Sequence, residues 1–210
     1  MLLLLPLIVS AQREREFQVR AGFGFAGYGT TSEWTVNFFG TDINVKDNDG
    51  AASLHAPIEL RYEVSERVNL GLDLKIGSYL YDPDSAEGKS NRFLVIGPSV
   101  EYNFITKDDF RWYGGLGFNG AFLDLEEEYE LNGALVHEIA RYTGPGFRLN
   151  AGVLIFLSEL IGLNFNLGYD SHHFTLKELE VNGQLQSLDN FKATLNVKGV
   201  DGTIGLVLRF

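Results

Sequence analysis

Apolar and polar residues alternate with a period of two along eight segments of roughly ten residues each, and no other feature restricts this chain as much. The first segment, 17–27, sets Phe17, Val19, Ala21, Phe23 and Phe25 against Gln18, Arg20, Gly22 and Gly24. The second, 53–63, sets Leu54, Ile58, Leu60 and Tyr62 against His55, Glu59, Arg61 and Glu63. In the third, Leu70, Leu72, Leu74 and Ile76 oppose Asp73 and Lys75, and in the fourth Leu94, Ile96, Val100 and Tyr102 oppose Glu101 and Asn103. Trp112, Leu116, Phe118 and Phe122 then oppose Arg111; Phe147, Leu149 and Val153 oppose Arg148; Leu163, Phe165 and Leu167 oppose Asp170. The last, 200–210, places Val200, Ile204, Leu206, Leu208 and Phe210 opposite Asp201, Thr203 and Arg209. Successive side chains of a strand point to opposite faces, so each segment is expected to form a strand with one apolar and one charged face.

Two closed architectures accept eight such strands. A soluble barrel turns its apolar faces inward around a ligand. A transmembrane barrel turns them outward to lipid and satisfies every backbone group by closure. Charged residues on the opposite face and glycines on the strands favour the second form. No run of 18 apolar residues exists for a transmembrane helix. The expected fold is therefore all-β: an eight-stranded antiparallel up-and-down transmembrane β-barrel, with Phe17, Phe25, Leu60, Leu72, Trp112, Phe118, Val153, Phe165 and Leu206 facing lipid.

The connections point the same way. Links 64–67, 105–109 and 157–161 are short, whereas 28–52, 81–91, 124–143 and 171–193 are long. Short turns at one end and long loops at the other is the distribution of an outer-membrane barrel, with both termini on the short-turn, periplasmic side. Asn132-Gly133 and Asn182-Gly183 lie at the middle of two long links. Asn-Gly fits the two φ > 0 positions of a type I′ turn, so strands five to eight are expected to continue past the membrane as ribbons.

At the N-terminus, residues 2–9 are apolar and lead to Val9-Ser10-Ala11, which reads as a secretory signal cut before Gln12. The expected division is a signal peptide at 1–11, a periplasmic segment at 12–16 and the barrel at 17–210.

Taking the polar faces as the interior gives six bases, Arg20, Arg61, Lys75, Arg111, Arg148 and Arg209, and six acids, Glu59, Glu63, Asp73, Glu101, Asp170 and Asp201. Their charges cancel, so the whole net charge of −11 belongs to loops and turns. An eight-stranded barrel has a bore that side chains just fill, and a lone buried charge is costly to desolvate. A paired, plugged interior is therefore expected rather than an ion path.

Little chemistry is suggested elsewhere. The chain has no cysteine, which removes thiol catalysis, disulfides and cysteine metal sites. Ser171-His172-His173 falls where strand seven leaves the outer interface, near a lipid headgroup, but adjacent residues diverge on a strand and cannot form a nucleophile–base pair. The same divergence argues against a two-histidine metal site. The acidic run 124–130 is a solvated loop, or at most a gatherer of divalent cations bridging lipopolysaccharide phosphates. An acidic surface and the lack of a phosphate-cradling glycine loop argue against nucleic acid. No cofactor is expected.

Over residues 17–210 these features resemble the small eight-stranded outer-membrane barrels of Gram-negative bacteria, similar to the OmpX type and the OmpA transmembrane domain. Gly97-Pro-Ser-Val-Glu-Tyr102 resembles the broad outer-membrane barrel families of Bacteroidota. The resemblance implies that Ile204, Leu206, Leu208 and Phe210 form the assembly signal read by the barrel-insertion machinery, and that outer-membrane lipid and lipopolysaccharide surround the barrel. Three roles are open: a structural or adhesive barrel whose long loops, with Trp34, Phe38 and Phe39 in the first, bind an extracellular ligand; a narrow channel; or a lipid-modifying hydrolase. The first is expected, and enzyme activity is not.

Overall fold

The computed structural model describes residues 16–80, 91–131 and 133–210. The signal segment, residues 12–15, most of the link at 81–91 and Asn132 lie outside the described residues.

The described chain is a single antiparallel sheet rolled into a ring. Its strands are β1 (Phe17–Phe38), β2 (Thr41–Ser65), β3 (Val68–Leu80), β4 (Asn91–Thr106), β5 (Phe110–Leu131), β6 (Ala134–Phe156), β7 (Ile161–Val181), the two-residue β8 (Gln184–Leu185) and β9 (Phe191–Arg209). Sequential neighbours pair from β1 to β7, and β9 closes the ring by pairing with both β7 and β1. β8 folds back on the end of β7. The eight long strands match the eight alternating segments, and closure leaves no open edge at membrane depth.

At the β1–β9 seam two glycines face each other, Gly22 and Gly205. A Cβ on Gly22 would collide with the Ile204 carbonyl oxygen, and one on Gly205 with that of Ala21. Backbone approach there requires glycine.

The outward face carries the apolar belt. Phe17, Phe25, Leu60, Leu72, Trp112, Phe118, Phe165 and Leu206 all project from it, and Val153 lies on it as well, half-buried. Aromatics crowd its margins. Near the short turns Tyr62, Trp112 and the edge-to-face pair Tyr102 and Phe104 stand in a row, and near the other end are Phe25, Phe122 and the pair Phe147 and Tyr169.

The strands run well beyond the predicted segments. Residues 28–52, expected as a loop, continue β1 and β2 as a hairpin closing at Phe39-Gly40, with register kept to Phe38 opposite Thr41. The physical reason is an inversion of polarity. Past the belt the outward positions become polar and hydrogen-bond across the strands: Thr31 to Asn48 at 2.8 Å, Glu33 to Lys46 at 2.7 Å, Thr35 to Asn44 at 2.7 Å and Asn37 to Asp42 at 2.7 Å. The Lys46 ammonium holds the Glu33 carboxyl below the usual carboxylate range. Inward positions turn apolar at the same level, with Trp34 opposite Val45 and Val36 opposite Ile43.

β5 and β6 likewise extend to Leu131 opposite Ala134, with Gly133 at φ 80°. Asn182-Gly183 turns between β7 and β8 at φ 50° and 79°, as a type I′ turn requires. Among the described residues, the β2–β3 pairing reaches Ala52 opposite Leu80 and the β4–β5 pairing reaches Arg92 opposite Asp124.

Candidate functional site

The lumen is filled in tiers, each set by the inward parity of the strands. Innermost is a five-residue ion cluster. Arg20 of β1 donates to both oxygens of Glu101 on β4 at 2.9 Å each and contacts Glu59 at 3.4 Å. Arg61 joins Glu59 at 3.1 Å, Glu101 at 2.9 Å and Asp73. Arg20 also donates to Gln18 and lies over the Tyr113 ring, 4.8 Å from its centroid.

Tyr113 links this cluster to a second one. Its hydroxyl donates to Asn164 and accepts from the Asn166 amide, both at 2.8 Å, and Asn166 in turn accepts from Arg148 at 3.0 Å. Arg148 pairs with Asp201 at 2.9 Å, Lys75 with Asp170 at 2.6 Å and with Asp201 at 3.4 Å, and His55 Nε2 lies 3.5 Å from Asp201.

A third group sits at the short-turn mouth. Arg111 pairs with Glu16 at 2.8 Å and with Glu63 at 3.4 Å, and Arg209 approaches Glu16 at 3.9 Å. Arg111 and Arg209 both stack on Phe156, which belongs to a buried apolar cap with Tyr113, Leu154 and Val207. Outside this cap a vestibule of about 280 Å³ opens between Glu16, Glu66, Lys107, Asp108 and Arg209.

Toward the other mouth the lumen is closed by a second apolar cluster, in which Tyr28, Tyr79, Phe93, Leu123, Tyr142, Phe174, Leu195 and Val197 meet. The first two charged clusters thus lie between two apolar layers, and the third lies at the short-turn mouth. Buried ion pairs of this kind gain only where every partner is in place, because a charge left alone in such a site is strongly destabilising.

All twelve charged residues read as inward therefore fall into three clusters. Gln18, His55, Tyr113, Asn164 and Asn166 were legible from parity as inward-facing but not as partners. Glu16 precedes the first alternating segment, and only its even position signalled it.

A match of the outer membrane protein beta-barrel domain model spans residues 1–210. The chain belongs to that family. Solved structures agree on the fold: OprG of Pseudomonas aeruginosa matches at 15% identity with a TM-score of 0.60, covering 93% of this chain and 95% of that one. A major outer membrane protein of Thermus thermophilus matches at 15% identity with a TM-score of 0.52, covering 94% and 100%. No curated protein sequence matches the chain. It is an outer-membrane β-barrel, located in the bacterial outer membrane.

In this outer-membrane barrel Ser171 projects outward and His172 inward, while His173 projects outward and bonds Asn196 at 2.7 Å. A different hydroxyl, imidazole and carboxylate do line up: Ser53 Oγ lies 3.4 Å from His55 Nδ1, whose ring reaches Asp201 on its other side. All three are buried, and Ser53 lies in register with Ala26 and Tyr79 of the upper apolar cluster. Among the described residues no group of three or more His, Asp or Glu side chains is placed to hold a metal ion. The acidic run is partly paired, Glu126 with His137 at 2.7 Å.

Ile204, Leu206, Leu208 and Phe210 occupy successive outward positions of the last strand and its end. Phe210 closes on Phe17 through two backbone hydrogen bonds, 3.1 and 2.8 Å.

Proposed function

We propose that this barrel is a closed, non-enzymatic outer-membrane protein whose protruding wall is a binding surface. The observation that carries the reading is the tip of the β1–β2 hairpin. Phe39 is 94% exposed and sits at φ 51°, in the left-handed region, where asparagine or glycine fits with less strain. An aromatic kept at such a position against both solubility and backbone preference marks a contact surface. Behind it Trp34, Val36, Ile43 and Val45 form an exposed apolar stripe on the inward-facing side of the same hairpin.

The filled lumen supports a structural body rather than a channel, and the buried Ser53 supports the non-enzymatic reading. The belt set, Leu72 and Val153 among it, faces lipid in this account, and the four outward residues ending at Phe210 serve the assembly machinery.

Retention of cells displaying the protein on alkyl-agarose beads tests the surface. Replacing Phe39 with Asn together with Trp34→Ser should lower retention while surface levels stay equal. Undiminished retention would remove the hairpin from the contact.

A further inference from the structure

Two hairpins stand on opposite sides of the mouth away from the termini. β5 and β6 lie four places from β1 and β2 in the eight-strand ring, so the inward faces of the two hairpins look toward each other. Both faces carry the same banding. On β1–β2 the inward rung of Tyr28 opposite Ala51 is part of the upper apolar cluster or packs on it; above it come Thr30 opposite Asp49 and Ser32 opposite Asp47. Trp34 opposite Val45 and Val36 opposite Ile43 form the next two rungs. On β5–β6 the cluster rung, Leu123 opposite Tyr142, is followed by Leu125 opposite Ala140 and then by Glu127 opposite Glu138. Tyr129 opposite Val136 and Leu131 opposite Ala134 lie above. Counted from the cluster, carboxylates hold the first two rungs of one hairpin and the second rung of the other, and apolar or aromatic side chains hold the third and fourth rungs of both.

This inner band is acidic only. The bases at these levels, Lys46, Arg141, Lys192 and Lys198, hold outward positions, in register with Glu33, Asp124, Thr35 and Gly29, and Lys177 falls in the β7 bulge. Among the described residues no base shares an inward rung with Asp47, Asp49, Glu127 or Glu138. Glu127 and Glu138 oppose each other directly, a placement in which like charges repel. The Tyr129 hydroxyl donates to Glu138 at 3.2 Å but brings no positive charge. A cation entering between the hairpins relieves that repulsion, and the apolar lip above offers its carrier a surface to cover.

We propose that the space between the β1–β2 and β5–β6 hairpins takes a cationic amphipathic peptide. Its basic side chains reach Asp47, Asp49, Glu127 and Glu138, and its apolar side chains cover Trp34, Val45 and their counterparts on β5–β6. A small cation alone leaves the lip bare, and a purely apolar ligand leaves the carboxylates without a countercharge; a chain carrying both chemistries meets both bands. The inference rests on the reading of the β1–β2 hairpin as a contact surface and names the partner of that surface. Exposed ion pairs contribute little singly, so the charge effect resides in the set of four.

Fluorescence anisotropy of a short labelled Leu-Lys peptide, added to the full chain in phosphatidylcholine nanodiscs, tests the site, with empty nanodiscs measuring partition into lipid. The wild type should bind the peptide more tightly than empty discs do. Asp47→Asn, Asp49→Asn, Glu127→Gln and Glu138→Gln combined should weaken binding by about tenfold or more, and the Asp47→Asn, Asp49→Asn pair by less. Glu66→Gln on a short turn should leave it unchanged. A heat-dependent gel shift run on each variant shows which are folded. A Leu-Glu peptide and a Gly-Lys peptide of the same length should both bind more weakly than the Leu-Lys peptide. Binding no tighter than to empty discs, equal affinity of wild type and both amide variants, or equal binding of either control peptide would each overturn the proposal. Loss of binding in Trp34→Ser with full retention in the amide variants would keep the contact surface and remove its cationic partner.

Discussion

Arg20 and Glu101 meet across the lumen through two 2.9 Å hydrogen bonds, although they lie on β1 and β4, strands that are not neighbours in the sheet. The pair therefore braces the barrel through its interior rather than along its wall. Both side chains are 1% exposed. Replacing Glu101 with Ala leaves Arg20 and Arg61 without their shared acceptor and should destabilise the barrel by about 3–5 kcal/mol. Equilibrium urea unfolding in detergent measures this, and a loss under about 1 kcal/mol would show that water already screens the pair.

Outside the ring, the belt predicts the opposite sensitivity. Arg at Leu72 or Val153 should destabilise by roughly 2–4 kcal/mol in lipid bilayers, as for charges near a bilayer midplane. Spin labels at these two sites should be relaxed by lipid-soluble oxygen, and stronger relaxation by a water-soluble agent would reverse the assigned faces.

The β1–β9 seam is intolerant of bulk. A side chain at Gly22 meets backbone rather than a flexible group. Gly22→Val should thus cost on the order of 1–3 kcal/mol, the range for overpacking, whereas Gly27→Ala, with no atom within 4 Å of the added Cβ, should be close to neutral. Folding yields from urea into micelles compare the two.

Phe210 is expected to matter for assembly more than for the finished fold. Its ring is largely exposed on the outward face, so deletion removes at most about 1.5–3 kcal/mol of burial. Outer-membrane levels in cells should fall while the same variant still folds into micelles. Unchanged surface levels would argue against a role as a signal.

Strand number, faces and the inward charges were legible because a period of two is a backbone property that each residue reports independently. The pairings were not, since Arg20 and Glu101 are 81 positions apart and parity says only that both point inward. The reach of the strands was missed for a physical reason as well. Alternation continues through Trp34, Val36, Ile43 and Val45, but with apolar residues now on the inward side, and the turn uses Phe39-Gly40 where Asn-Gly would have announced a hairpin. Ser53 and His55 share a face two residues apart, whereas the adjacent Ser171 and His172 diverge.

Planar-bilayer recording of the purified protein tests the central claim, a lumen closed by paired charges between two apolar layers. The wild type should show no steady conductance, and Glu101→Ala or Arg148→Ala should show at most brief openings. Sustained ohmic steps from the wild type would contradict the closed barrel.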